Sequence, residues 1–334
     1  MASPNSVLTE LVTVALRNRQ KKIFDNVGQH NALWKRVQTK NGIRTLEGGR
    51  TIVQSLDYDE NQTFQRYSGY DVLNISPSEV FSSAEFNWMQ AALHITISGR
   101  EQRMVSGKEA MFNLVKERVL NAEKTFANAM NRDMYSAGTL PNQIGGLQLL
   151  VADTPTNSVG GIDGNVWQFW RNKVLKLSSP GSEWNLSGAQ TVSKDNIRSL
   201  MSKMYIALTR GTDMPDFILC SPNWYEMYME SLAWQQRYSD VQSANAGFAT
   251  LKYQSADVFF DQTRSEIDSS ISIMPDNHMY FLNTDYIKLC VHRDANITSL
   301  EDKTSVNQDA TVRPVIWMGN MTISNRARQG VMIA

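Results

Sequence analysis

The stretch Ser106 to Gly138, SGKEAMFNLVKERVLNAEKTFANAMNRDMYSAG, constrains the fold more than any other part of the chain. Ser106 and Glu109 form an S-x-x-E capping box, in which the hydroxyl accepts from the Glu109 amide and the carboxylate reaches back to the Ser106 amide. Gly138 is placed to end the helix in a left-handed C′ conformation. No proline intervenes, and the only other glycine, Gly107, lies in the first turn. Met111, Leu114, Val115, Val119, Ala122, Phe126, Ala129 and Met130 recur at spacings of three and four, which makes one apolar stripe. Lys108, Glu117, Lys124 and Arg132 mark a polar face. At 1.5 Å per residue the helix spans roughly 45 Å, beyond the usual three turns or so. A helix this long and apolar on one side only reads as a strut across an extended or flat subunit.

The chain around the strut has 334 residues, more than one ordinary core serves, so two or more lobes are expected. Lys plus Arg and Asp plus Glu are equal at 33 each, so there is no net electrostatic pull towards nucleic acid or an anionic membrane. Neutrality also removes a barrier to self-association. Cys220 and Cys290 sit inside apolar runs without metal-site spacing, which fits buried, inert thiols in a reducing compartment. The first residues lack a basic n-region and Glu10 interrupts their apolar run, so no signal peptide is expected. No stretch approaches ~18 uninterrupted apolar residues, so no membrane span is expected.

Residues 1–48 read as an arm. Leu8, Leu11, Val12 and Leu16 have helical spacing, the basic run RNRQKK (17–22) follows, and NALWKRVQ (Asn31 to Gln38) is a second short helix. The basic run is a solvated face, or a contact to phosphates or to an acidic neighbour. Residues 49–85 read as an extended hairpin, with strands at Arg50 to Leu56 and Thr63 to Val72 around the acidic tip DYDENQ. A two-stranded ribbon is marginal alone and its edges need a partner. Tyr58, Phe64, Tyr67 and Tyr70 would suit such a contact. In AALHITISGRE, Leu93, Ile95 and Ile97 alternate with His94, Thr96 and Ser98, which is a half-buried strand leading into the strut. Residues 86–140 thus form one domain with the long helix.

Residues 141–284 read as a second, α/β lobe. The GG pairs at 145–146 and 160–161 are turn glycines, because neither a G-x-x-x-x-G-K-[ST] loop nor a G-x-G-x-x-G between strand and helix is present. VWQFWRNKV is an aromatic core edge. Asp195 to Arg210 is a helix with Ile197, Leu200, Met201, Met204, Tyr205 and Leu208 on one face and Gly211 as its stop. DFILCSP is a buried strand, NWYEMYMESL starts a helix, and LKYQSADVFFDQ and ISIMPDNHMYFLNTDYIKLCVH add strands. Residues 285–334 then return to the sheet of the His94 strand.

Catalytic chemistry has no evident seat. His30, His94, His278 and His292 belong to no H-E-x-x-H, G-x-S-x-G or S-x-x-K context. Asp57, Asp59 and Glu60 cluster, but DYDENQTFQRYS lacks the glycine and the final glutamate of an EF-hand. They read as a solvated tip or an acidic patch for a basic neighbour. No catalytic, cofactor-binding or metal residues are assigned, and no cofactor is expected.

In this order the segments resemble the major capsid proteins of tailed bacteriophages, the group with the Hong Kong 97-type fold. SGREQRMVSGKEAMFNLVKERVLNAEKTFANAMNRDMYSAG looks like that family's entry to its spine helix and the helix itself. IGGLQ, VGGID and WRNKV look like the segment that follows. RGTDMPDFILCSPNWYEMY, GFATLKYQSADVFFD and MYFLNTDYIKL look like its axial domain and exit. The resemblance implies an α+β fold with an N-terminal arm, an extended loop, a peripheral domain built on the spine helix, and an axial domain. It implies a non-enzymatic virion protein, made in the host cytoplasm, whose copies form the hexamers and pentamers of an icosahedral head. Double-stranded DNA would lie inside, contacted weakly and without specificity, with portal, scaffolding or decoration proteins as further partners and no membrane. No lysine–asparagine crosslink motif is matched. The alternatives are a nanocompartment shell of the same fold around an enzyme cargo, and an enzyme or ligand-binding protein with its site in the axial lobe near the GG loops.

Overall fold

A computed structural model describes residues 32–76, 79–104, 108–232, 251–261, 273–301, 303–304 and 309–334. The first described element is helix α1 (Ala32–Thr39), which buries Leu33, Trp34 and Val37. Strand β1 (Ile43–Leu46) follows. A ribbon of β2 (Ile52–Asp57) and β3 (Phe81–Phe86) comes next, then β4 (Met89–Ser98). The short helix α2 (Gly99–Met104) leads to the long helix α3 (Lys108–Tyr135), 28 residues and about 42 Å.

Beyond α3 lie α4 (Leu147–Leu150), the small hairpin β5 (Ser158–Val159) and β6 (Ile162–Asp163), and β7 (Lys173–Lys176). Helix α5 (Ile197–Leu208), β8 (Phe217–Cys220), helix α6 (Pro222–Ser231), β9 (Leu251–Tyr253) and β10 (Ala256–Phe260) build the second lobe with β11 (His278–Leu282). The chain closes with β12 (Ile287–His292), β13 (Thr298–Ser299), β14 (Lys303–Thr304), the 14-residue β15 (Ala310–Ile323) and β16 (Gly330–Ile333).

The first sheet is organised on β15. One edge of β15 pairs antiparallel with β4 from Ala310 opposite Ser98 to Gly319 opposite Met89. Its other edge takes β14, β13 and β12 in turn, and β1 adds parallel to β12. Helix α3 lies across this sheet. Val119 and Phe126 of the helix and Leu93, Ile95, Ile297 and Val315 line one small cavity between the two layers. From Val119 onward the stripe is real: Val119, Phe126, Met130 and Met134 are buried, while Glu117 and Lys124 are exposed. The expected capping box at Ser106 lies outside the described residues. A second S-x-x-E, Ser98–Glu101, does close at the start of α2. There Ser98 N donates to Glu101 Oε2 and Glu101 N donates to Ser98 Oγ, both at 3.2 Å. Gly138 is left-handed, at φ 66°, but sits three residues past the last helical residue and shapes the turn that follows.

The second sheet has the order β7–β16–β11–β8–β10–β9. Phe217, Ile218, Leu219 and Cys220 of β8 are all buried, because both faces of this sheet are covered. Successive side chains point to opposite faces. Ile218 and Cys220 join the core under α5 and α6, and Phe217 and Leu219 join the core shared with α1 and α3. All six residues expected on the inner face of α5 are buried there.

Two expectations are corrected. The partner of β2 is Phe81–Phe86, in register from Ile52 opposite Phe86 to Asp57 opposite Phe81, and not Thr63 to Val72. Phe86 stands opposite buried Ile52 and Ala84 lies on the same inward face between Ile52 and Leu56, and residues 58–76 contain no strand. The final strand also departs from the expected return to the first sheet at 285–334. β16 is buried at all four positions and lies between β7 and β11 in the second sheet. Helix α5 packs directly on Gly330, where a Cβ would meet Met204 Sδ at 2.7 Å.

Candidate assembly surfaces

The ribbon β2–β3 is steadied at its root. Tyr58 N donates to Val80 O at 3.0 Å, and the Tyr58 ring stacks on Phe169 at 5.3 Å with Trp167 edge-on at 5.8 Å. Gly160 and Gly161, both at positive φ, make the two-residue turn of the β5–β6 hairpin. That turn supports β3, since Glu85 N donates to Gly160 O at 2.9 Å and a Cβ on Gly160 would meet Ala84 at 2.9 Å. The expectation of turn glycines is met here.

Beyond Tyr58 the loop is held by short-range bonds. Asn61 Oδ1 accepts from Thr63 N and Oγ1, Ser68 N donates to Asp71 Oδ2, and Gln65 Nε2 donates to Val72 O. Its large apolar side chains point to solvent. Phe64 is 82% exposed, Tyr67 65%, Tyr70 106%, Val72 91% and Ile75 91%. Isolated exposed apolar residues are ordinary, but with Leu73, also exposed, there are six within twelve positions on an unsupported loop, which makes this a candidate contact surface. Three of the four aromatics expected at the contact, Phe64, Tyr67 and Tyr70, are in this set. Tyr58 is not, being spent on Phe169 and Trp167. Val72, Leu73, Ile75 and Phe81, also exposed, carry no contact signal in the sequence, because Val72 reads as the end of a strand and the other three lie beyond the expected hairpin strands. Asp57, Asp59 and Glu60 are exposed at the start of the loop, and Asp59 Oδ1 accepts from Glu60 N at 2.8 Å.

The arm helix α1 is clamped by charge as well as by its apolar face. Arg36 donates to Asp216 and to Asp257, each at 3.0 Å, and Lys40 Nζ is 3.5 Å from Asp216. Asp216 also accepts from Thr284 N and Oγ1 at 2.8 and 2.6 Å. No spacing rule joins residues 180 and 221 positions apart, so this clamp had no sequence signal. The basic run at 17–22 and His30 lie outside the described residues.

The polar groups singled out in the sequence are dispersed. Burial pushes the thiols of Cys220 and Cys290 up, and Cys220 Sγ donates to Phe259 O. His94 is exposed on β4, and His292 Nδ1 accepts from Asp294 N on the far side of the first sheet. His278 Nε2 is 3.0 Å from Asp153 Oδ2 and its Nδ1 is 2.7 Å from Asp276 O. Burial pulls His278 down, but these two acceptors outweigh it and its pKa is raised. Among the described residues, no three His, Cys, Asp or Glu side chains come together as a metal site. A cleft in the second lobe has Lys173, Glu183, Trp184 and Lys203 on its walls, and Lys203 Nζ donates to the carbonyls of Trp184 and Asn185.

No family profile and no curated protein matches the chain. Solved structures do share its architecture. A chain of the capsid asymmetric unit of cyanophage A-1(L) superposes with a TM-score of 0.62 at 14% identity, covering 93% of this chain and 92% of that one. A chain of Mycobacterium phage Bobi gives 0.53 at 10% identity over 88% of each. A chain of the satellite phage P4 procapsid that includes the size-determination protein gives 0.51 at 9% identity, over 94% and 90%. Similarity this low in sequence and this complete in coverage identifies architecture, and the chain has the Hong Kong 97-type fold of tailed-phage major capsid proteins.

Proposed function

We propose that the chain is a structural, non-enzymatic subunit of a phage capsid that assembles with copies of itself. The observation that carries this reading is the loop of residues 58–76, whose apolar side chains are solvated in the single chain and need a second molecule to cover them. Capsid structures that share the fold over nearly the whole length support it. On this reading residues 49–85 form the extended loop that lies over a neighbour. Residues 86–140 and most of 285–334 form the peripheral domain, and 141–284 with β16 form the axial domain. Copies group as hexamers and pentamers around an icosahedral head, double-stranded DNA fills the interior, and the polar face of α3 looks to solvent or to that interior. On this reading a portal protein is a further partner, as is a scaffolding or decoration protein where the head uses one.

Negative-stain microscopy of the purified chain tests the reading. Closed or sheet-like particles hundreds of ångströms across are expected once assembly conditions are met. Small, discrete oligomers under every condition would overturn it. Nuclease-protected double-stranded DNA inside particles made during infection is the result expected for a head, and protein cargo in its place would move the assignment to a nanocompartment.

A further inference from the structure

Strand β4 is an edge strand whose main chain can be assigned residue by residue. In an antiparallel pair the N–H and C=O of one residue point the same way, and direction alternates along the strand. Gly99 N donates to Asp309 O at 2.8 Å, continuing the β4–β15 register past Ser98 opposite Ala310. The odd-numbered residues 89–97 therefore bond to β15 and the even-numbered residues 90–98 point away. Three independent marks agree. Ser98 N turns to Glu101, Thr96 O accepts from Arg118 Nη1, and Pro314, which has no N–H, stands opposite His94. Gln90, Ala92 and His94 are left with outward N–H and C=O groups and no strand partner among the described residues, and all three are exposed.

Edges of this kind are normally blunted by charge, proline or a bulge. Residues 89–98, MQAALHITIS, contain no Lys, Arg, Asp, Glu or Pro, and the register with β15 runs without a bulge. The same chain also carries the complement. Residues 70–75, YDVLNI, belong to no strand and carry the strand-favouring Tyr70, Val72 and Ile75 at alternating or near-alternating positions, all three exposed. Six extended residues reach about 20 Å, enough to cover the open groups of Gln90, Ala92 and His94.

We propose that the outer edge of β4 accepts residues 70–75 of a second copy as an added strand, so that the loop is bound by main-chain hydrogen bonds as well as by its apolar side chains. The proposal rests on the shell reading and gives its intersubunit contact a surface and a mode. Arg118 and Glu101 close the edge at Thr96 and Ser98, which limits the docking to the first two-thirds of the strand and fixes its position.

Ala92→Pro removes an outward N–H and leaves the β15 ladder intact, whereas Ala91→Pro removes an inward one. The A92P chain is expected to keep the parent Tm within a few degrees and to lose particle assembly, while A91P lowers Tm. A chain carrying both Gln90→Cys and Tyr70→Cys is expected to form disulfides between copies on assembly, read as a ladder on a non-reducing gel. A92P particles at the parent yield, or a double-cysteine chain whose assembled particles show no intermolecular ladder, would overturn strand addition and leave the shell reading standing. Should A92P unfold, the cysteine ladder alone decides. If the parent chain forms no particle under any condition, it is the shell reading that fails.

Discussion

At the scale of single residues, the most demanding side chain is Arg326. It is fully buried, Nε donates to Leu150 O at 2.8 Å, and Nη2 donates to Asn157 Oδ1 and Asn172 Oδ1 at 2.8 and 3.0 Å. Burial pulls its pKa down to about 10, so it remains charged at neutral pH. Its fork ties the segment before β16 to the loops at 150–172. Arg326→Ala should lower the unfolding free energy by about 3 kcal/mol in urea titration, because three acceptors lose a charged donor, and Arg326→Lys should recover little of it because an ammonium cannot reproduce the planar fork. His278 makes the pH-dependent case. Its folded pKa lies above the ordinary value of about 6.5, so its pairing with Asp153 contributes fully below that value and is lost as pH rises through the folded pKa. His278→Gln should therefore cost stability at pH 5.5 and almost none at pH 8.5, by about 1 kcal/mol or less since Asp153 is half exposed; an equal cost at both pH values would refute the pairing. Neither residue was legible in the sequence. Arg326 looks like any arginine in NRAR, and its partners and the Asp153 partner of His278 lie 125 to 176 positions away. Ser98–Glu101 is legible as an S-x-x-E motif, one that recurs eight residues later at the longer helix.

Elements were more legible wherever periodicity alone decides them. The 3.6-residue repeat of α5 and the alternation of β4 each have one buried face, so the pattern in the chain is the pattern in the core. Pairing is a different matter, because strand propensity does not say which strand is the partner. Thr63 to Val72 has the composition of a strand and FSSAEF does not, yet FSSAEF pairs because Ala84 and Phe86 fit against Ile52, Leu56 and the glycine turn at 160. The destination of β16 was hidden for the same reason. β15 shows what pairing demands at one residue. Gly319 is where the strand passes from β4, with Met89 opposite, to β12, with Val291 opposite. A Cβ there would stand 2.5 Å from Cys290 O and 2.7 Å from the Trp317 ring. The carbonyl belongs to the neighbouring strand and cannot retreat without breaking its ladder. Gly319→Ala is thus expected to destabilise by about 1–3 kcal/mol, measured by thermal unfolding, with the loss concentrated in hydrogen-exchange protection of β12 and β15. An unchanged Tm would mean that the two strands can separate freely at this point.

On the scale of the whole molecule, most of the chain packs into a buried core, and one loop stands outside it. The two sheets, α1 and α3 share a continuous core in which Tyr135, at the end of α3, donates to Asp261 after β10 at 2.6 Å. Among the described residues of the loop between Tyr58 and Val80 the large apolar side chains are exposed, and the hydrogen bonds of Asn61, Gln65 and Ser68 given above are short-range. Because the β2–β3 register ends with Asp57 opposite Phe81 and Tyr58 still bonds Val80, residues 59–79 can be replaced by Asn-Gly, a two-residue turn suited to the twist of an antiparallel pair. The shortened chain should be at least as stable as the parent in urea, because a two-residue connection costs less closure entropy than a 21-residue one, while its assembly into particles is abolished. A large loss of stability would place the loop in the subunit's own core, and undiminished assembly would remove it from the contact between copies. The two readouts separate because intrachain burial and interchain burial are different surfaces. A loop that is neutral for folding and required for assembly is one whose apolar area enters the free-energy balance only when the second copy arrives.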